Sequence, residues 1–107
     1  MAAWLPKVLL RVRELAAARR VAFTMKARRE LAALAFGLDE EDARDVLIAL
    51  TPEDSAGRLR SRSTDEWMYV FKPTLAGGVL YVKLIIRADC IVVSFHEDEG
   101  GHEQEDG

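Results

Sequence analysis

The hydrophobic positions of this chain keep a helical period through Leu50 and an alternating one from Trp67 onward. Val8, Leu9, Val12, Leu15 and Ala16 predict a first helix over residues 6–18, with Pro6 in its first turn. Lys7, Arg11 and Arg13 fall on its other faces, as solvated charges do. Residues 20–23 are short and β-like and add one strand. Thr24 is an N-cap for a second helix whose inner face is Ala27, Leu31, Leu34 and Ala35, with Gly37 as its C′ residue. Lys26, Arg28 and Arg29 lie early in this helix, where the dipole disfavours cations. Solvation accounts for them most simply; a phosphate backbone or an acidic partner would also retain them. Asp39 caps a third helix with Asp42 at the capping-box position, and Ala43, Val46, Leu47 and Leu50 form its stripe. Residues 51–54 end it in a tight turn.

From Trp67 to Asp98, three β-branched and aromatic runs separated by turn residues predict an antiparallel meander. In the middle run Leu80, Val82, Leu84 and Ile86 point one way, and Tyr81, Lys83, Ile85 and Arg87 the other. A two-residue turn at Ala88-Asp89 sets the last register: Arg87 opposite Cys90, Ile85–Val92, Lys83–Ser94 and Tyr81–His96, with Leu84–Val93 and Ile86–Ile91 on the aliphatic face. Tyr81, Lys83, Ser94 and His96 then share a face within ~5–8 Å, a candidate anion site. Trp67 and Phe71 are packing residues; Tyr69 has no assignment.

The whole is an α+β domain over residues 1–99: helices first, then a sheet of three or four strands with helices on one face. Residues 100–107 form an acidic tail. Composition adds little: half the residues are hydrophobic, and no apolar run reaches ~18 residues, which leaves no membrane span. The start of the chain lacks the order of a signal peptide. A net charge of −3 hides an uneven distribution. Six acids and no Lys or Arg follow Phe95, and the rest of the chain is mildly basic. The basic residues include Arg58, Arg60 and Arg62, which alternate so that on a strand all three point one way. They can grip phosphates, or protect a sheet edge against pairing. Cys90 is the only cysteine, which excludes an internal disulfide and suits a reducing cytoplasm. A small buried hydrophobe describes it better than a nucleophile. His96 and His102 do not make a metal site, and no cofactor motif is present.

With these residues in view, the chain resembles the MqsR-type toxins of bacterial type II toxin–antitoxin systems. The resemblance rests on Trp67-Met-Tyr-Val-Phe-Lys-Pro, Val79-Leu-Tyr-Val-Lys and Ile91-Val-Val-Ser-Phe, in order and at matching spacing. Residues 20–24, 37–39 and 47–54 agree more weakly. The resemblance implies a RelE-like ribonuclease fold, cleavage of mRNA, free or ribosome-bound, without a metal, and neutralisation by a cognate antitoxin. DNA would be contacted only through that antitoxin. Tyr81 matches the family's tyrosine. His96 stands where the family has lysine, and Met68 where it has glutamine. A further family lysine falls near Gly57, with Arg58 one position on.

A metal-free ribonuclease uses the substrate's own 2′-hydroxyl as nucleophile. It must move that proton, stabilise a phosphorane and protonate the leaving 5′-oxygen. His96 is the candidate general base or acid, because imidazole ordinarily titrates near neutrality. Tyr81 orients or assists it, and Arg58 stabilises the phosphorane. Arg60, Arg62, Lys72 and Lys83 are the candidate substrate-binding residues. The rival is a catalytically degenerate member that binds an antitoxin or RNA, favoured by the apolar Met68. A DNA-binding protein in its own right is the weakest reading, since no helix has a recognition-helix pattern.

Overall fold

The computed structural model describes residues 2–35, 37–75 and 77–99; the acidic tail and His102 lie outside them. Its elements in order are α1 (Leu5–Ala17), β1 (Val21–Phe23), α2 (Met25–Ala32), α3 (Glu40–Ile48), β2 (Ser55–Arg60), β3 (Trp67–Phe71), β4 (Thr74–Leu75), β5 (Gly78–Ile86) and β6 (Cys90–Glu97). A 3-10 turn at Pro52–Asp54 leads into β2. The class is α+β. The sheet runs β1-β6-β5-β3-β2, with the short β4 paired to β5. It is antiparallel except at one edge, where β1 lies parallel to β6.

The helices form where the period placed them. Leu5, Leu9, Val12, Leu15 and Ala16 are buried along α1. Thr24 Oγ1 accepts the Ala27 N–H at 3.0 Å and caps α2. Asp39 and Asp42 form the reciprocal capping box of α3, and the Asp42 N–H holds the Asp39 carboxyl below its ordinary range. Helix α2 ends earlier than its apolar pattern suggests. Its cap is Ala33, Ala35 is exposed, and Gly37, at φ +73°, belongs to the turn beyond. Arg13 is not simply solvated: its Nε and Nη2 donate to the Leu50 carbonyl at 3.2 and 2.6 Å, tying α1 to the end of α3.

All three helices pack on one face of the sheet. Their buried residues join Phe71, Leu80, Val82, Leu84, Cys90, Val92 and Phe95 in one core. The other face carries Met68, Val70, Tyr81, Lys83, Ile85 and Ser94, all buried but outside that core.

The β5–β6 register is the expected one at its far end: Tyr81 pairs with His96, Val82 with Phe95, Lys83 with Ser94. Nearer the turn it is corrected by one residue. Leu84 pairs with Val92, Ile85 with Ile91 and Ile86 with Cys90. The pairs Arg87–Cys90, Ile85–Val92, Leu84–Val93 and Ile86–Ile91 do not form. A two-residue hairpin turn favours positive φ, and neither Ala88 nor Asp89 takes it. The chain uses a three-residue loop, 87–89, and recovers the offset by bulging Val93. The bulge lets Cys90, Val92 and Phe95 all face the core despite their uneven spacing.

At the hairpin end, Arg87 donates two hydrogen bonds to the Glu66 carboxylate, at 2.9 and 2.7 Å. That pair ties the loop before β3 to the β5–β6 turn and holds the Glu66 carboxyl down to about 2 from an ordinary 4.5. A depressed folded-state pKa contributes stability above the unfolded value and loses it as pH falls through the folded one. The Glu66→Gln variant is therefore expected to have a lower urea midpoint than wild type above about pH 5, the gap closing towards about pH 2. A gap independent of pH would contradict the pairing. In the core, Phe95→Ala is expected to cost ~3–5 kcal/mol in urea unfolding, whereas Leu10→Ala, at a position 56 % exposed, is expected to cost under ~0.5 kcal/mol. Equal costs would contradict this placement of the core.

Candidate functional site

On the helix-free face, the Tyr81–His96 pair brings the two rings into a stack, with centroids 5.0 Å apart and planes 10° from parallel. His96 Nδ1 lies 2.9 Å from the Glu97 carbonyl oxygen. A carbonyl only accepts, so Nδ1 carries the hydrogen. Nε2 is thereby left as the lone-pair nitrogen of the neutral ring, on a side chain that remains accessible to solvent.

Two residues along the hairpin, Lys83 pairs with Ser94. Lys83 is 7 % exposed and Ser94 1 %, so they form the floor of the site. The Lys83 ammonium lies 5.9 Å from the Tyr81 ring centroid and that of Lys72 5.8 Å. Lys72, half-buried at the end of β3, is paired with Asp98 at 3.5 Å. Lys26, from the first turn of α2, donates to Ser94 Oγ at 2.8 Å. Solvation alone therefore does not account for Lys26. Its position against the helix dipole is the signal in the sequence for another role. Glu30 anchors it from one turn on: Oε2 lies 2.9 Å from the Lys26 ammonium, and Oε1 accepts the Phe95 N–H at 2.9 Å. Arg28 is accounted for by its pair with Glu40 at 3.1 Å.

The arginines expected beside this cluster are elsewhere. Arg58 pairs with Tyr69 and Arg60 with Trp67, so alternation puts both on the face of Trp67, Tyr69 and Phe71, which carries the helices. Their guanidiniums lie over the Trp67 ring, at 3.8 and 4.1 Å from its centroid. Arg58 also reaches 5.0 Å from the Trp4 ring, and Trp4 packs on Tyr69 at 5.3 Å. These cation–π contacts hold Arg58 away from Tyr81 and His96. Arg60 also donates to the Asp65 carbonyl at 3.0 Å, and Arg62 is exposed in the turn after the strand ends. Sequence alternation places the three on one side of a strand but leaves open which side, and the strand stops before Arg62.

Met68 is buried on the same face as Lys83 and brings no polar group to it. Gly57 lies in the β2 bulge at φ +99°, a conformation a lysine side chain rarely adopts. Burial pushes the Cys90 thiol up to about 12, which leaves it unreactive in the folded chain. A groove of about 370 Å³ between Trp4, Leu5, Pro52, Ser55 and Gly57 shares no residue with the Tyr81–His96 cluster. Among the described residues no three His, Cys, Asp or Glu side chains converge, and no helix is long and apolar enough to cross a membrane.

The face thus presents a stacked phenol and imidazole beside a floor of hydroxyl and ammonium donors. No curated protein is matched by the chain. The family model described as motility quorum-sensing regulator, toxin of MqsA, matches residues 6–97, from the second residue of α1 to the last of β6. The chain belongs to this MqsR toxin family and is a toxin of a toxin–antitoxin system.

Proposed function

We propose that the toxin is an endoribonuclease that cuts mRNA by attack of the substrate's 2′-hydroxyl, with no metal in the step, and that a cognate antitoxin neutralises it. The observation that carries the reading is the His96–Tyr81 stack, with Nδ1 committed to a carbonyl and Nε2 available. In this reading Nε2 takes the 2′-hydroxyl proton as the oxygen closes on phosphorus. The P–O5′ bond breaks, and the leaving 5′-oxygen takes its proton from water. The products are a 2′,3′-cyclic phosphate and a 5′-hydroxyl. Tyr81 holds the imidazole plane by stacking. The Lys72 ammonium, in place of the distant Arg58, supplies positive charge beside Tyr81 for the phosphorane. Lys83 serves the substrate from the floor of the same face.

A second reading is a catalytically degenerate member that binds antitoxin or RNA without cutting. The buried, apolar Met68 favours it.

The test is cleavage of a long mixed-sequence RNA in excess EDTA. Wild type is expected to leave 5′-hydroxyl ends. His96→Ala is expected to lose about 100-fold or more in rate, the usual contribution of a proton carrier. His96→Lys is expected to keep activity and to move the pH–rate profile towards alkali, because an ordinary ammonium titrates about four units above an ordinary imidazole. A wild-type rate that stays flat between about pH 5 and pH 8.5 would exclude a histidine proton carrier. Absence of cutting both in vitro and as growth arrest on induction would favour the binding module.

A further inference from the structure

We propose that Lys83, Ser94 and Lys26 form a subsite for the phosphate adjacent to the scissile one on a single-stranded RNA. The inference rests on the ribonuclease reading of this face and adds the neighbouring phosphate to it.

Three observations carry it. Lys83 is 7 % exposed, and among the described residues its ammonium meets the Tyr81 ring, 5.9 Å from its centroid, but no carboxylate and no hydrogen-bond acceptor. A buried cation in that state lacks the compensation that an ion pair or hydrogen bonds would supply, and an arriving anion provides it. The cluster is also rich in donors. Ser94 Oγ already accepts from Lys26, so its own hydrogen is left to donate, and neither ammonium can accept anything. The complement of three converging donors is a group that only accepts, as a phosphodiester does at neutral pH. Among the described residues the carboxylate paired with this cluster is that of Glu30, which holds Lys26 and is already engaged by the Phe95 N–H.

The spacing assigns the phosphate. Lys83–Ser94 is two residues along the hairpin from Tyr81–His96, or ~7 Å. Consecutive phosphates of an extended single strand can bridge that step, so one strand can meet both pairs. Lys26 is the rim of this subsite, anchored by Glu30 and reaching over from α2. Its place in the first helical turn, unfavourable for an isolated cation, follows from that task. Arg28 and Arg29, on the same helix, have no part in it.

The experiment uses the full chain and a mixed-sequence 2′-O-methyl oligoribonucleotide, which has no nucleophile and cannot be cut. Affinity is read by fluorescence anisotropy over a range of salt concentrations. Lys83→Met and Lys26→Gln are each expected to weaken binding by about tenfold. Lys83→Met should also flatten the log K against log salt slope by ~0.7, the value for one phosphate contact on a single strand. Ser94→Ala should weaken binding less and leave the slope in place. Lys7→Gln, an exposed charge on α1, should change neither. Wild-type affinity and slope in both lysine variants would overturn the subsite, as would an equal loss in Lys7→Gln. Should Lys83→Met fail to fold, Lys26→Gln decides alone, because its side chain is mostly exposed. Failure of wild type to bind the oligonucleotide also overturns the subsite. Binding that depends on Lys83 and Lys26, without cleavage of the matching unmodified RNA, would instead uphold the subsite and remove the ribonuclease.

Discussion

The arrangement depends on one extra residue. Val93 is the bulge where two residues of β6 oppose one step of β5. On the turn side of it, Cys90 and Val92 face the helices; beyond it, Phe95 faces them, and Ser94 and His96 take the other side. Without that phase change, the pairing that gives Cys90 and Val92 to the core would turn Phe95 outward and bury His96. The same segment is held from outside the hairpin. Thr24 donates its N–H to the Val92 carbonyl at 3.1 Å, and Glu30 takes the Phe95 N–H that β1, ending at Phe23, no longer reaches. Helix α2 thus fixes the strand at the point where the site begins, and supplies Lys26 to it.

The two faces divide the charge of the molecule into different tasks. On the helix side, Arg58 and Arg60 spread over Trp67 and close the edge strand with aromatic contact. Such stacking satisfies a guanidinium face while its N–H groups remain for other partners. On the bare side, the ammonium groups are positioned by their surroundings. Lys72 is braced by Asp98, Lys26 by Glu30, and Lys83 by the neighbouring strands and the Tyr81 ring. A site that is rigid on a sheet and rich in donors suits stabilisation of developing negative charge, because little reorganisation is needed when that charge appears.

Much of this is legible in the chain. Alternation over residues 80–86 determines which residues share a face; the expected Tyr81–His96 and Lys83–Ser94 pairs form although the two-residue turn and the aliphatic pairs expected with them do not, because the bulge at Val93 offsets the longer loop. The caps at Thr24 and Asp39 follow from local chemistry that needs no tertiary partner. The turn departs from expectation because backbone requirements outweigh run length: Ala88 and Asp89 do not adopt what a two-residue loop favours. The side of the sheet to which Arg58 and Arg60 belong is beyond sequence, since alternation gives relative direction and only packing against Trp4 and Trp67 gives the absolute one. Lys26 is hidden for a related reason. Its role depends on a contact between residues 68 positions apart.

The proposed ribonuclease uses the helix-free face, and not the arginine–tryptophan edge, to receive RNA. Backbone amide shifts during titration with a chain-length series of uncleavable oligonucleotides test it most directly. Perturbations are expected at residues 81–83 and 94–96, spreading to Lys26 and Lys72, with the Trp4 and Trp67 indole signals unmoved. Perturbations confined to Trp4, Arg58, Arg60 and Trp67 would contradict it.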